Sequence, residues 1–487
     1  MPEINNLSLT DRVAQGVGWN VIGIGLQRVF QLGAGIVIAR ILLPTDYAIA
    51  GLAGAVAGIF SIFTAHGFGL ALVQRENLSD KTIHSVFWFL SMLGVGLGLI
   101  TALLAPISAK IYNQPAIVPV MLVLSLSIVI GMIGSVPNAM LVRAMRFREI
   151  NIITGVEGAL AAVLGITIAW MGFGYWALIM PPLGAVIIKV ILSFWFSRYK
   201  PIRRFQIEAI RDTSNFGFSV MGSNLAYYLA SNLDYLIMGR FWSPTLFGLY
   251  YFAYNKSRLI SIIITQQMSS TILPAFSRIQ NDLPRLRRAF LKSSHAMGLV
   301  YLPIHVLVIG LADPLVPWIF GQQWGPSVPV FRAFAALAFL APLTGLVSDT
   351  LFALNLPRIP LYYNIFRVSI VLPVLLFLGL NGATILTTAL ILLIVWYIQA
   401  LIYAAYLFVH IRLSLAEIWD NLRLIVIATV LMALSLYLCC TVLEQAVSSE
   451  LVVIISSIIL PSLVFALLTW KSYISIYKQL KLSFLKR

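Results

Sequence analysis

Eight charged side chains stand inside long apolar stretches of this 487-residue chain: Arg28, Glu157, Lys189, Asp234, Lys256, Arg258, Asp349 and Arg367, with Arg332 near the end of another. A charge at the centre of a bilayer costs about 2.5–3.5 kcal/mol on insertion scales, so such residues normally face an interior cavity or a partner. At 1.5 Å per helical residue, Arg28 lies about 18 Å from Arg40, where its apolar run ends. By the same count Lys256 and Arg258 lie about 15–20 Å beyond the link that follows Arg240. All three are expected near mid-depth, with the amide of Asn255 beside them. A wet, positively lined cavity there would hold an anion such as phosphate or pyrophosphate by charge-assisted hydrogen bonds. The alternative is internal pairing, for example Asp234 with Lys256 or Arg258. Glu157, Asp349 and Asp234 are candidates for carrying a coupling ion or for simple charge pairs. Lys189 and Arg367 are long enough to snorkel to an interface.

Polar and aromatic side chains accompany these charges: Trp19, Asn20, Gln27, Gln31, Asn224, Tyr227, Tyr228, Asn232, Tyr250, Tyr251, Tyr254 and Asn255. Aromatic faces with amides suit sugar rings, and Tyr and Trp also belong to interfacial belts. No catalytic constellation is visible. His66, His84, His295, His305 and His410 lack metal-ligand spacing, and there is no Gly-rich phosphate loop, no H-E-x-x-H and no Ser-His-Asp set. The expectation is no catalytic residue, no metal and no cofactor beyond a coupling Na⁺ or H⁺ gradient.

The elements that must position these residues follow from composition. Hydrophobic residues make up 60% of the chain and charged residues 10%, against about 25% charged in soluble domains. Apolar stretches long enough to cross a hydrocarbon core of ~30 Å recur about fourteen times: 16–39, 46–73, 83–109, 117–138, 151–171, 175–197, 214–240, 245–270, 290–312, 328–355, 360–380, 383–409, 421–443 and 450–470. The prolines within them, Pro137, Pro181, Pro182, Pro303, Pro342 and Pro373, are expected to kink their helices. The adjacent Cys439 and Cys440 exclude a disulfide framework, and the polar start is not a signal peptide. Most of the 33 Lys and Arg fall in every second link, including Arg75, Arg203, Arg204 and Arg278, and in the C-terminal tail. That bias predicts both termini on the cytoplasmic side. It also accounts for the net charge of +16 without nucleic acid.

An internal repeat divides the chain. Arg40-Ile-Leu-Leu-Pro44-Thr45 recurs as Arg240-Phe-Trp-Ser-Pro244-Thr245, at an offset of 200 residues. A second match pairs the stretches around Pro106 and Pro119 with those around Pro314 and Pro329. Six spans separate the repeat starts, so the halves share one topology. The predicted fold is an all-α polytopic membrane protein of about fourteen transmembrane helices. Two parallel-topology six-helix lobes, 1–197 and 213–410, surround a central cavity, with a basic linker at 198–212 on the cytoplasmic membrane surface. Residues 411–487 add two extra helices and a basic tail.

The opening GWNVIGIGLQRVFQLGAGIVIARILLPTDYAIAGLA, the stretch GFGLALVQRENLS at 67–79, Phe147-Arg148 and NFGFSVMGSNLAYYLASNLDYLIMGRFW resemble polysaccharide transporters of the colanic-acid-exporter type. These belong to the multidrug/oligosaccharidyl-lipid/polysaccharide flippase superfamily. The resemblance implies a flippase in the bacterial inner membrane that moves an undecaprenyl-pyrophosphate-linked oligosaccharide outward for exopolysaccharide, capsule or O-antigen assembly. Arg28, Lys256, Arg258 and Asn255 are then the candidate substrate-binding residues. Membrane lipids, a polysaccharide polymerase and a chain-length regulator are the candidate partners. Two other readings stay open: a multidrug-type cation exporter, which calls for an acidic lumen, and a membrane polymerase or glycosyltransferase, which calls for a sizeable catalytic loop.

Overall fold

The computed structural model describes residues 9–65, 72, 79–202, 205–446 and 450–485. Among them every regular element is helical. In chain order these are α1 (Leu9–Ile41), α2 (Pro44–Ala65), α3 (Asp80–Tyr112), α4 (Ile117–Arg143), α5 (Phe147–Trp170), α6 (Trp176–Ser197), α7 (Ile207–Met238), α8 (Pro244–Ser257) and α9 (Leu259–Ser277). They continue as α10 (Leu283–Gly310), α11 (Ala312–Phe320), α12 (Val328–Ala338), α13 (Ala341–Ala353), α14 (Arg358–Leu380), α15 (Ile385–His410), α16 (Leu415–Ala446) and α17 (Glu450–Leu485). Among the described residues, eleven helical stretches are long and apolar enough to cross a membrane. The expected spans 16–39, 214–240 and 245–270 lie on α1, α7 and the α8–α9 pair, outside those eleven.

Local chemistry sets the helix ends. Both copies of the Pro-Thr motif do the same job: Pro44 and Pro244 are the first residues of α2 and α8. Proline suits that position, because its missing N–H would find no partner there and its φ is already helical. Just upstream, the Leu43 N–H donates to Asp46 Oδ2 at 3.0 Å. Ser79, Asp282 and Thr384 cap α3, α10 and α15 by accepting from backbone N–H groups three residues on, at 3.2, 3.0 and 3.1 Å. α3 ends at Asn113 in the left-handed region, φ 52°. Prolines act unequally. Helices run unbroken through Pro137, Pro181, Pro182, Pro303 and Pro373. Only Pro342 sits at a break, in the first turn of α13.

The chain divides into two compact units, Met1–Gly248 and Leu249–Arg487. In the first, α1 packs on α5, α3 on α4, and α6 on both α4 and α5. α2 packs on α3, α4 and α7. The segment before α7 runs along the start of α3. Trp88 Nε1 donates to the Ile202 carbonyl at 2.9 Å, and the Gln206 N–H donates to Ser85 Oγ at 3.0 Å. His84 Nδ1 and the Tyr199 hydroxyl are 2.9 Å apart, with the rings stacked. Burial raises the Tyr199 phenol above its ordinary pKa. The linker residues Arg203 and Arg204 lie outside the described residues.

The α2–α7 contact depends on glycine. The Tyr228 hydroxyl donates to the Ala55 carbonyl at 2.9 Å, and a Cβ on Gly58 would stand 2.0 Å from that hydroxyl. The first turn of α8 comes so close to α2 that a Cβ on Gly248 would meet the Pro44 carbonyl oxygen at 1.8 Å. Small residues allow such close approach in lipid, where packing substitutes for a hydrophobic driving force.

In the second unit one apolar cluster joins α9, α10, α13 and α15 through Phe276, Phe290, Leu351 and Leu407. Another ties α10 to α16 and α17 through Val306, Met432 and Phe465. Outward faces carry exposed Leu380, Val409 and Leu467, as helices facing lipid rather than water do.

Candidate functional site

The cations expected at mid-depth end in different surroundings. Arg28 is half-buried on α1, and its Nη1 donates to Gln31 Oε1 at 2.8 Å. Lys256 and Arg258, two residues apart on a 3.6-residue turn, point to roughly opposite sides. The Lys256 ammonium stands over the Phe320 ring of α11, 5.8 Å from its centroid. The Arg258 guanidinium, at the one-residue break between α8 and α9, lies 4.6 Å from the Tyr254 centroid. It also donates to the Tyr254 hydroxyl. Asn255 turns its amide back on its own helix, donating to the Tyr251 carbonyl at 2.8 Å. Lys256, Arg258 and Asn255 therefore do not converge on one point.

Arg258 instead shares a cavity of about 90 Å³ with Arg367 of α14, Tyr363, Thr344 of α13 and Trp396 of α15. The Arg367 guanidinium lies 5.9 Å from the Tyr363 centroid and 5.2 Å from Trp396. Cation–π contacts contribute about 2 kcal/mol or more when desolvated. They occupy the face of a guanidinium and leave its N–H edge available. Neither Lys256 nor Arg367 pairs with a carboxylate among the described residues.

The carboxylates are spread out. Asp234 is 1% exposed on α7. Glu157 meets Lys189 at 3.8 Å, so Lys189 has a partner rather than only a route to an interface. Asp349 is buried on α13 and takes a hydrogen bond from the Ser269 hydroxyl of α9. Arg332 pairs with Asp313 and donates to the Ile309 carbonyl at 3.1 Å. No group of three or more His, Cys, Asp or Glu side chains gathers among the described residues.

Reading by depth alone set Arg367 aside and passed over Trp396. A signal was present: Tyr254–Arg258 and Tyr363–Arg367 share the i, i+4 spacing that stacks side chains on one helix face. The side chains of Trp19 and Asn20, and residues Arg75, Lys486 and Arg487, lie outside what the structure describes.

Comparison with known proteins adds to this geometry. The model of a family described as polysaccharide biosynthesis protein matches residues 37–329. The lipopolysaccharide biosynthesis protein WzxC of Escherichia coli (strain K12) is 23% identical over 387 residues, covering 77% of this chain and 76% of that protein. Among solved structures, the lipid II flippase MurJ in an inward closed conformation superposes with TM-score 0.75 at 15% identity, covering 94% of this chain and 99% of that one. An inward-facing multidrug resistance MATE family transporter of the MOP superfamily gives TM-score 0.62 at 17% identity, over 79% of this chain and 94% of that one. Helix content, apolar spans and these likenesses make the chain a multi-pass membrane protein with a MOP-type transporter fold.

Proposed function

The chain belongs to the polysaccharide biosynthesis protein family, and from that premise we propose that it is a flippase for a lipid-linked oligosaccharide. It moves a repeat unit, carried on undecaprenyl pyrophosphate, across the bacterial inner membrane by alternating access. The cargo serves exopolysaccharide, capsule or O-antigen assembly. The likeness to a lipid II flippase over 94% of the chain supports the reading. So does the relative named for lipopolysaccharide biosynthesis.

One observation carries the mechanism: Lys256 and Arg367 lie within apolar helices and meet no carboxylate among the described residues. Their charge is stabilised by aromatic faces without being cancelled, so it remains for an anion. A pyrophosphate needs that, and a cationic drug is repelled by it. The pyrophosphate is held by cationic side chains among Arg28, Lys256 and Arg258, while the sugar sits in water and the tail stays in lipid. Asp234, Glu157 and Asp349 are the carboxylates proposed to carry a coupling Na⁺ or H⁺. Fourteen helices, two six-helix lobes joined by the 198–212 linker, two added helices and cytoplasmic termini complete the proposal. A polymerase and a chain-length regulator are its working partners.

Arg28→Ala and the double variant Lys256→Ala/Arg258→Ala are expected to abolish surface-polysaccharide export while protein level in the membrane holds. Wild-type export in both variants overturns the mechanism. Reporter fusions placed after each helix test the topology: a terminus found outside the cytoplasm removes that part of the proposal.

A further inference from the structure

His305 of α10 is wholly enclosed, with 0% exposure, and both of its ring nitrogens are engaged. Nδ1 lies 2.9 Å from the Tyr301 carbonyl, and Nε2 lies 2.8 Å from Ser261 Oγ of α9. A carbonyl only accepts, so Nδ1 carries a hydrogen. In the neutral ring Nε2 accepts from the Ser261 hydroxyl; in the protonated ring Nε2–H donates to the same oxygen. One set of partners therefore satisfies the imidazole and the imidazolium, and only a hydroxyl has to rotate between them.

Ser261 begins a line of hydroxyls. Ser261, Thr265 and Ser269 are spaced i, i+4 and i+8 on α9, so they stand one above the other on one helix face. Ser269 ends the line by donating to the buried Asp349 of α13. Thr265 is held in register with that end. A Cβ on Gly345, four residues before Asp349, would stand 3.0 Å from Thr265 Cγ2. The Thr265 hydroxyl is the independent sign. Buried Thr101, Thr350 and Thr469 each bond the carbonyl four residues back, at 2.8, 2.6 and 2.7 Å. Thr265 Oγ1 is buried but makes no such bond and finds no partner among the described residues, although buried polar groups normally have one.

We infer that His305 is a proton-binding site, and that Ser261, Thr265 and Ser269 form a proton path from it along α9 to Asp349. Side chains four residues apart are about 5–6 Å apart at Cβ, a gap that one bridging water closes. Nε2–H passes its proton to Ser261, each hydroxyl accepts one proton and releases another, and the last reaches the Asp349 carboxylate. Imidazolium and carboxylate become imidazole and carboxylic acid, and every hydroxyl is restored. Few other charges face the ring. Tyr301 stacks on it at 4.1 Å, and Arg258 acts electrostatically on the Tyr301 phenol. On α12, Arg332 is paired with Asp313 of α11 and meets α10 one turn beyond, at Ile309. α16 and α17 pack on α10 with apolar Met432 and Phe465. The Cys440 thiol beside them donates to Ser457 at 3.7 Å. The inference rests on the export reading only in taking Asp349 as a coupling carboxylate and in the lipid chosen as probe.

The test uses full-length protein in liposomes that contain undecaprenyl pyrophosphate and enclose a pH-sensitive dye. A potassium diffusion potential, negative inside, drives protons inward. The wild type is expected to admit protons faster than protein-free liposomes do. His305→Gln still forms hydrogen bonds but takes no proton, and should slow entry by about tenfold or more, since a positioned proton-transfer group typically contributes about 10²–10⁴-fold. Thr265→Val keeps the shape, loses the hydroxyl and should slow entry similarly. Thr265→Ser returns the hydroxyl without the methyl and should restore most of the rate, which a packing role would not. Thr388→Val, at another buried threonine whose hydroxyl lacks a partner among the described residues, should conduct as wild type. Should His305→Gln fail to fold, the two Thr265 variants decide. No entry by the wild type above protein-free liposomes, wild-type entry in His305→Gln, or equal slowing in Thr265→Val and Thr265→Ser each overturns the inference. Export that runs on a sodium gradient without proton entry also overturns it and leaves the flippase proposal standing. Wild-type export in Arg28→Ala and in Lys256→Ala/Arg258→Ala, with proton entry intact, removes the cationic mechanism and leaves this path.

Discussion

Gly248→Ala separates helix propensity from packing, because the two predict opposite signs. Within a helix, alanine is favoured over glycine by about 0.8–1.0 kcal/mol, so propensity alone expects a more stable protein. The structure expects the reverse. A Cβ on Gly248 would sit 1.8 Å from the Pro44 carbonyl oxygen and 2.5 Å from its carbon, where ordinary contact begins at 3.4 Å. The shortfall of roughly 1.6 Å falls on backbone at the start of α2, which cannot rotate aside as a side chain would. Overpacking of this kind typically costs about 1–3 kcal/mol. The matched control is Gly96→Ala on α3, where nothing lies within 4 Å of the added carbon. In detergent, followed by tryptophan fluorescence, Gly248→Ala is expected to lower the unfolding midpoint by several degrees, and Gly96→Ala to leave it unchanged or raise it. Equal shifts in the same direction would refute the close approach of α8 to α2.

Other substitutions probe single contacts. Tyr228→Phe removes the hydrogen bonds to the Gly54 and Ala55 carbonyls and is expected to destabilise by about 1 kcal/mol; an unchanged midpoint would mean that the hydroxyl contributes nothing. Ser79→Ala removes the α3 cap and should cost about 0.5–2 kcal/mol, read by the same melt. Glu157→Gln breaks a 3.8 Å contact with a half-exposed Lys189. Stability should change by less than about 1 kcal/mol, so a fall in gradient-driven export without a fall in the melt would mark Glu157 as an ion carrier.

Much of the fold was legible because hydropathy in a bilayer is a coarse and strong signal. The Pro-Thr motif at 44 and 244 read as a repeated link ahead of an apolar run, and in both places its proline is the first residue of a helix, since proline at the first position acts locally. α7 was read too short. It begins at Ile207, but its polar Glu208, Arg211 and Asp212 hid the start from a search for apolar spans, which detects the lipid-crossing part of a helix and not its extension. The break at Arg258 and the split between α12 and α13 were also hidden, because each leaves the apolar run continuous. Gly248 is one of 33 glycines, and nothing local distinguishes it; its role comes from a carbonyl about 200 residues away. For the candidate site, depth along the chain singled out Arg258 as an expectation but could not tell which way it faces. It grouped Lys256 with Arg258 although a helix turns them apart.

How the second unit holds its cations bears on mechanism. Near helix ends of this unit, arginines pair with carboxylates: Arg287 with Glu417, Arg332 with Asp313. Such pairs neutralise the charge they stabilise. Lys256, Arg258 and Arg367 stand over Phe320, Tyr254, and Tyr363 with Trp396. An aromatic face lowers the free energy of a buried cation through its quadrupole but carries no net charge. For Lys256 and Arg367, which meet no carboxylate among the described residues, the positive field therefore survives, and an arriving anion does not first have to displace a carboxylate. Replacing Tyr363 with Glu would convert one arrangement into the other. It should leave the protein folded, pair Arg367, and lower surface-polysaccharide export measured at matched protein level in the membrane; wild-type export in that variant would refute a role for the uncancelled charge.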